Sequence, residues 1–179
     1  VVIFFAIAFL LTVLAVYWYS RSWTLTFLPL VCSLTSLVWQ FGMLEILGYG
    51  LDPLAILVPF LVFAIGVSHG IQQVNQITKE VIDGKSAEFA ARASFSRLII
   101  PGSMALVTDL VGFGTLILLP ITMIKELAIT ASIGVAFKII TNLVMLPLAA
   151  SYARYGEGFA LSAQSAISYR QNLMGYFGK

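Results

Sequence analysis

Charge is scarce in this sequence. Of 179 residues only 10% are Asp, Glu, Lys or Arg, against about 25% in an average soluble domain. Histidine and cysteine occur once each, as His69 and Cys32. One cysteine excludes an intrachain disulfide. The sequence shows no metal-ligand cluster, phosphate loop or nucleophile–base pattern, so neither an enzyme, a metal nor a cofactor is expected. A dispersed net charge of +2 argues against a nucleic-acid partner. No basic n-region or cleavage motif precedes the opening run VVIFFAIAFLLTVLAV. That run is therefore expected to belong to an interior piece of a longer polypeptide rather than to a signal peptide.

What the chain does have is apolar length. Hydrophobic residues make up 60% of it and mean hydropathy is +0.98. About 20 apolar residues cross a bilayer, and five such runs are expected: about 1–19, 25–47, 54–77, 98–119 and 126–150. The fold class is an all-α, polytopic transmembrane helix bundle over 1–150. GYGLDP (48–53) and Pro120 punctuate the runs, and Pro147 sits near the end of the fifth. The charged stretch 78–97 reads, over about 84–96, as an amphipathic helix on the membrane surface, with Phe89, Ala93 and Ser96 on one side and Glu88 and Arg92 on the other. Residues 151–179 read as a cytoplasmic or interfacial tail. Arg21, Lys79, Lys85, Arg92, Arg97, Arg154, Arg170 and Lys179 fall on one side of the spans, with only Lys125 on the other beside Glu45, Asp52 and Glu126. The positive-inside rule puts the first group in the cytoplasm, with residue 1 outside.

Three ionisable residues interrupt these runs: His69 in the third, Asp109 in the fourth and Lys138 in the fifth. Each costs roughly 2.5 to 3.5 kcal/mol at a span centre. Counted at 1.5 Å per residue, their heights agree to within about one turn, so they are expected to form one cluster, with Asp109 and Lys138 as its firmer pair. GVSHGIQQVNQ surrounds His69 with amides, and Gly66, His69, Gln72, Gln73 and Gln76 share a helical face beside Ser68 and Asn75. Gly102, Ala105, Asp109 and Gly112 share one face of the fourth span. Thr130, Gly134, Lys138 and Asn142 recur every four residues on the fifth. Small residues let helices approach closely, which assigns packing to Gly66, Gly102, Gly112 and Gly134. Intramembrane ionisable groups mark proton relays; His69, Asp109 and Lys138 are the candidate relay, supported by Ser68, Gln72, Gln73 and Asn142. A structural Asp–Lys clamp remains the alternative.

LDPLAILVPFLVFAIGVSHGIQQVNQ, PGSMALVTDLVGFGTL and KELAITASIGVAFKIITNLVMLP, in that order, resemble the resistance-nodulation-division (RND) superfamily, in its hydrophobe/amphiphile efflux branch related to the mycobacterial large membrane proteins. The resemblance implies helices two to six of one six-helix repeat in a bacterial inner-membrane, proton-driven exporter. Its implied partners are protons, membrane lipids, a hydrophobic or amphiphilic substrate, and the remainder of the same polypeptide, a partner subunit or further copies of itself. The sequence departs from the family at Gly66-Val67-Ser68-His69, where serine replaces the usual aspartate and the acid lies one helix later, at Asp109. Coupling then uses either His69, Asp109 and Lys138 or acids in another repeat. The related sterol-sensing fold implies the alternative: a lipid-sensing or scaffolding membrane domain, or a bound subunit of a larger complex, without transport of its own.

Overall fold

The computed structural model describes residues 2–20, 22–50, 57–153, 155, 164–165 and 168. Val1, Arg21, Asp52, Arg154, Arg170, Lys179 and most of the expected tail lie outside them. The described chain is all-helical: α1 (Val2–Ser20), α2 (Trp23–Ile46), α3 (Val58–Ile82), α4 (Ala87–Thr115, with a 3-10 turn Leu116–Leu118), α5 (Thr122–Lys138), a π-helical segment (Ile139–Met145) and α6 (Leu146–Ser151). The last three form one rod. By length and composition, Trp23–Ile46, Ala87–Leu118 and Thr122–Ser151 can each cross a membrane; α1 has a shorter apolar run, Ile3–Trp18. The protein is a multi-pass membrane protein. Helix α3 is 25 residues long, and its amides keep it out of the most apolar set.

Local chemistry explains the helix ends. Gly48 and Gly84 adopt φ of 73° and 76°, a left-handed conformation that glycine enters without a side-chain clash. Past each glycine the chain folds back on its helix: Tyr49 N–H bonds the Leu44 carbonyl at 3.0 Å and Lys85 N–H the Glu80 carbonyl at 3.1 Å. Both are six-to-one caps. Ser86 then starts α4, its Oγ accepting the Phe89 N–H at 3.3 Å.

This start corrects one expectation. The stretch 84–96 is not a separate surface helix: it is the first part of α4, continuous through Pro101. Its inward face is Ala90, Ala91 and Ser94, while Phe89 is half-exposed. Small side chains let α4 lie against the end of α3, where Ser94 Oγ donates to the Gln73 carbonyl at 3.3 Å.

Packing is layered along the bundle. Among the described residues helix α1 contacts α2 and α3, the latter through Phe5 against Phe60 (5.1 Å between ring centres) and Phe9 against Phe63 (5.7 Å). Val16, Leu30, Leu37, Val58, Val62, Phe63, Val67 and Ala131 form the core there. Leu106, Val135 and Leu143 join α4 to the last rod. Cys32, Ile77, Ala90, Ala91, Leu146 and Ala150 close the end where Tyr155 sits; burial pushes the Tyr155 phenol up to about 12.

The π segment has a local cause. Pro147 has no N–H to offer the carbonyl four residues back, and its ring crowds that turn. The ladder widens instead: the Leu146 N–H reaches the Thr141 carbonyl, five residues back. Single wide turns of this kind gather at functional sites. This one begins directly after Lys138.

Candidate functional site: a buried lysine layer

Lys138 is completely buried. A lysine near a membrane surface would send its ammonium out to water. From residue 138 the rod continues 13 residues to Ser151, about 20 Å at 1.5 Å per residue, beyond the reach of the side chain. The ammonium is held inside instead, donating to the Ser33 carbonyl of α2 at 3.1 Å.

Gly66 makes the space. A Cβ on Gly66 would collide with Lys138 Nζ and Cε and with Ser33 Oγ. One turn further along the rod, Asn142 Nδ2 donates to the Gly66 carbonyl at 2.6 Å. Ser33 Oγ and Asn142 Oδ1 are both buried, with no hydrogen-bond partner among the described residues. Lys138 therefore sits among a carbonyl, a hydroxyl and an amide. Among the described residues, no carboxylate lies within ion-pair distance of it.

A second polar layer lies one helical turn away. Gln40 of α2, fully buried, donates from Nε2 to the Thr130 carbonyl at 2.9 Å. Gly134 admits it: a Cβ there would meet Gln40 Nε2 and Cδ at 2.8 Å and Val62 at 2.6 Å. Gln40 Oε1 has no hydrogen-bond partner among the described residues.

The expected Asp109–Lys138 pair does not form. Lys138 projects between α2 and α3, where Gly66 leaves a gap. Asp109, on α4, is half-buried and lies close enough to His69 for the two to interact electrostatically. The one expected cluster is thus divided: Lys138 lies with Asn142 between α2, α3 and the last rod, and no ion pair joins Asp109 to it or to His69 among the described residues. Ser68 and Gln72 are exposed, whereas Gln73 is buried with Oε1 unpartnered. The inward face of α3 runs through Gly66, Gly70, Gln73 and Ile77, one residue round from the face expected through His69 and Gln72. Gly102 packs on Leu143, whose Cδ2 would lie 2.9 Å from an added Cβ, whereas a Cβ on Gly112 would meet nothing within 4 Å among the described residues.

Sequence reading found the rod's stripe: Thr130, Gly134, Lys138 and Asn142 are all buried. It missed the α2 side. Ser33, Ser36 and Gln40 are buried on one face of α2 at spacings of three and four, a signal the sequence does contain. It also missed Glu80, which is buried and accepts from Arg97 Nη1 at 2.7 Å. No group of three or more potential metal ligands occurs among the described residues.

Comparison with known proteins agrees with this architecture. Residues 18–152 match the family described as the sterol-sensing domain of SREBP cleavage-activation. A protein of Methanocaldococcus jannaschii named as a membrane protein is 24% identical over 129 residues, 72% of this chain and 33% of its own length. The chain thus spans about a third of that curated relative. No solved structure matches. The family match covers three quarters of the sequence, from the end of α1 to the end of α6, and takes in both polar layers: the chain belongs to the sterol-sensing domain family.

Proposed function

We propose that this chain is the membrane-embedded part of a proton-driven, RND-type exporter of hydrophobic or amphiphilic, lipid-like substrates, with the Lys138 layer as its charge-changing centre. One observation carries the proposal: a fully buried lysine, held by neutral dipoles at the start of a π turn. An ammonium and an amine make opposite demands on such a shell. The charged form attracts the Ser33 carbonyl and the free oxygens Ser33 Oγ and Asn142 Oδ1. The neutral form releases them. Since these groups belong to α2 and the last rod, and Asn142 also donates to the Gly66 carbonyl of α3, a proton moving on or off Lys138 biases how three helices pack. His69 of α3 and Asp109 of α4 complete the relay in this reading, and the buried amide of Gln73 extends the polar path along α3. The exposed amide of Gln72 asks for a polar neighbour, and the remainder of the polypeptide or a partner subunit would provide it. Lys79, Lys85, Arg92 and Arg97 mark the cytoplasmic end of a bacterial inner-membrane protein.

The test uses the full-length protein in liposomes with a fluorescent phospholipid and an imposed pH gradient. Export is expected to follow the gradient and to be lost in both Lys138→Met and Asp109→Asn. Gradient-independent export, or wild-type export by both variants, would sink the proposal.

A lipid-sensing domain without transport is the second reading, and a specific feature favours it. Helices α1 and α3 enclose an apolar groove of ≈ 700 Å³ lined by Leu11, Val16, Trp18, Val67 and Ile71, with Ser68 as a polar contact. Lipid binding there that changes protein conformation without any gradient would support sensing.

A further inference from the structure

At the opposite flank of the bundle, the start of α4 and the end of the last rod form an open groove of ≈ 550 Å³. That is within the range of small-ligand sites, roughly 300 to 1,000 Å³. Its walls are two helix faces: Glu88, Arg92 and Phe95 of α4, and Val144, Leu148 and Tyr152 of the rod. The helices run antiparallel, so chemistry is graded along the groove. Glu88 lies in the first turn of α4 and Tyr152 caps α6, which puts both at the bundle's end. Phe95 and Val144 lie deeper. One end is charged and hydroxylated; the other is apolar and faces outward from segments able to cross a membrane.

We infer that this groove binds one phospholipid with a primary-ammonium headgroup, its phosphate on Arg92, its ammonium on Glu88 and its acyl chains along Phe95, Val144 and Leu148. Charge complementarity selects this occupant. Among the described residues the groove holds one cation and one anion, matching a zwitterion, while Glu88 disfavours a purely anionic headgroup. A carboxylate hydrogen-bonds an ammonium that carries N–H donors; a trimethylammonium has none to give. The two side chains are available: their mutual contact is a loose 3.6 Å, with side chains 77% and 79% exposed. Val144 and Leu148 are 51% and 57% exposed, so the chains would cover a surface the protein leaves bare. The site is independent of the Lys138 layer and of whether the protein transports.

The experiment reconstitutes the full-length protein in nanodiscs containing equal parts phosphatidylethanolamine, phosphatidylcholine and phosphatidylglycerol, and reads retained lipid by native mass spectrometry. Wild type should retain phosphatidylethanolamine severalfold over the other two. Glu88→Gln should erase the preference over phosphatidylcholine, Arg92→Gln should lower retention of all three, and Leu148→Trp should displace the lipid by filling the groove. Val111→Trp, on the exposed outer face of α4, is the folding and annular-lipid control and should retain lipid like wild type. The inference is overturned by a preference for phosphatidylglycerol, by identical retention in wild type and the groove variants, or by equal loss in the control.

Discussion

Glu80 and Lys138 are both buried and ionisable, yet they are housed in opposite ways. Glu80 lies near the end of α3, 8% exposed, and accepts from Arg97 at 2.7 Å and from Gln76 Nε2 at 3.3 Å. Its partner is a permanent cation, 61% exposed to the surroundings. Lys138 lies mid-rod, fully buried, and its hydrogen bond runs to a backbone carbonyl. The guanidinium of α4 holds the carboxylate of α3 directly, so Glu80 reads as a tie between the two helices. A lysine solvated by neutral dipoles has no such lock. The contrast teaches which buried charge can do work: the one with no counterion among the described residues.

The sharpest way to break the comparison is to deny Lys138 its space. Gly66→Val puts a branched side chain where Lys138 Nζ and Ser33 Oγ now sit. Overpacking of this kind costs about 1 to 3 kcal/mol, occasionally more, and the upper end is expected because a fully buried lysine has nowhere to retreat. Adding Lys138→Ala should return most of that loss, since coupled neighbours interact by about 0.5 to 3 kcal/mol. Thermal unfolding in detergent checks both. Additive losses would show that Gly66 and Lys138 do not share a site.

The matching cut at the other charge is Arg97→Ala. It leaves Glu80 buried with only the Gln76 amide, and thermal stability should fall by about 1 kcal/mol, discounted because Arg97 is largely exposed. Glu80→Gln with Arg97→Ala should cost less than Arg97→Ala alone, because no charge is then stranded. Export and lipid binding should survive both. If Arg97→Ala abolishes export while the fold is intact, the tie is part of the mechanism and the comparison fails.

Gly112 offers a smaller, opposite effect. It lies inside α4 with open space around its Cα, so Gly112→Ala should raise stability by about 0.5 to 1 kcal/mol through helix propensity alone. A loss would mean that this face is covered by a close partner in the full-length protein.

These residues also show what the sequence could and could not say. Gly48 and Gly84 stop their helices where the sequence suggests, whereas Pro29 and Pro101 lie inside theirs. The four-residue stripe through Thr130, Gly134, Lys138 and Asn142 is legible because one helix carries all of it. Spacing along a helix fixes height but not which neighbour a side chain turns toward. Asp109 and Lys138 agree in height and still face different partners. Two local events set that rotation. The Pro147-linked π turn shifts the rod's register beyond Lys138, and the Gly66 gap opens toward α2. The serines and Gln40 of α2 are the other half of the site, and they stand out only once the lysine is known to point at them. The charges between 85 and 97 suggested a surface helix because sequence pattern does not reveal that Ala90, Ala91 and Ser94 have α3 to pack against.

The smallest stability change is expected where the functional change is largest, at Lys138→Met. Removing a buried ammonium relieves its desolvation, and an apolar side chain of similar length can be neutral or stabilising in such a place. Against that, the Ser33 carbonyl loses a donor, and the free oxygens of Ser33 and Asn142 lose the cation beside them. The two effects offset, so stability should stay within about 1 kcal/mol of wild type while gradient-driven export stops. Lys138→Arg separates charge from proton exchange. Arginine keeps the positive charge but does not release its proton in proteins, so a folded Lys138→Arg protein should also be inactive in export. Activity in the arginine variant would reduce Lys138 to a fixed positive charge, a structural tie like the one at Glu80, and the distinction between the two buried charges would collapse.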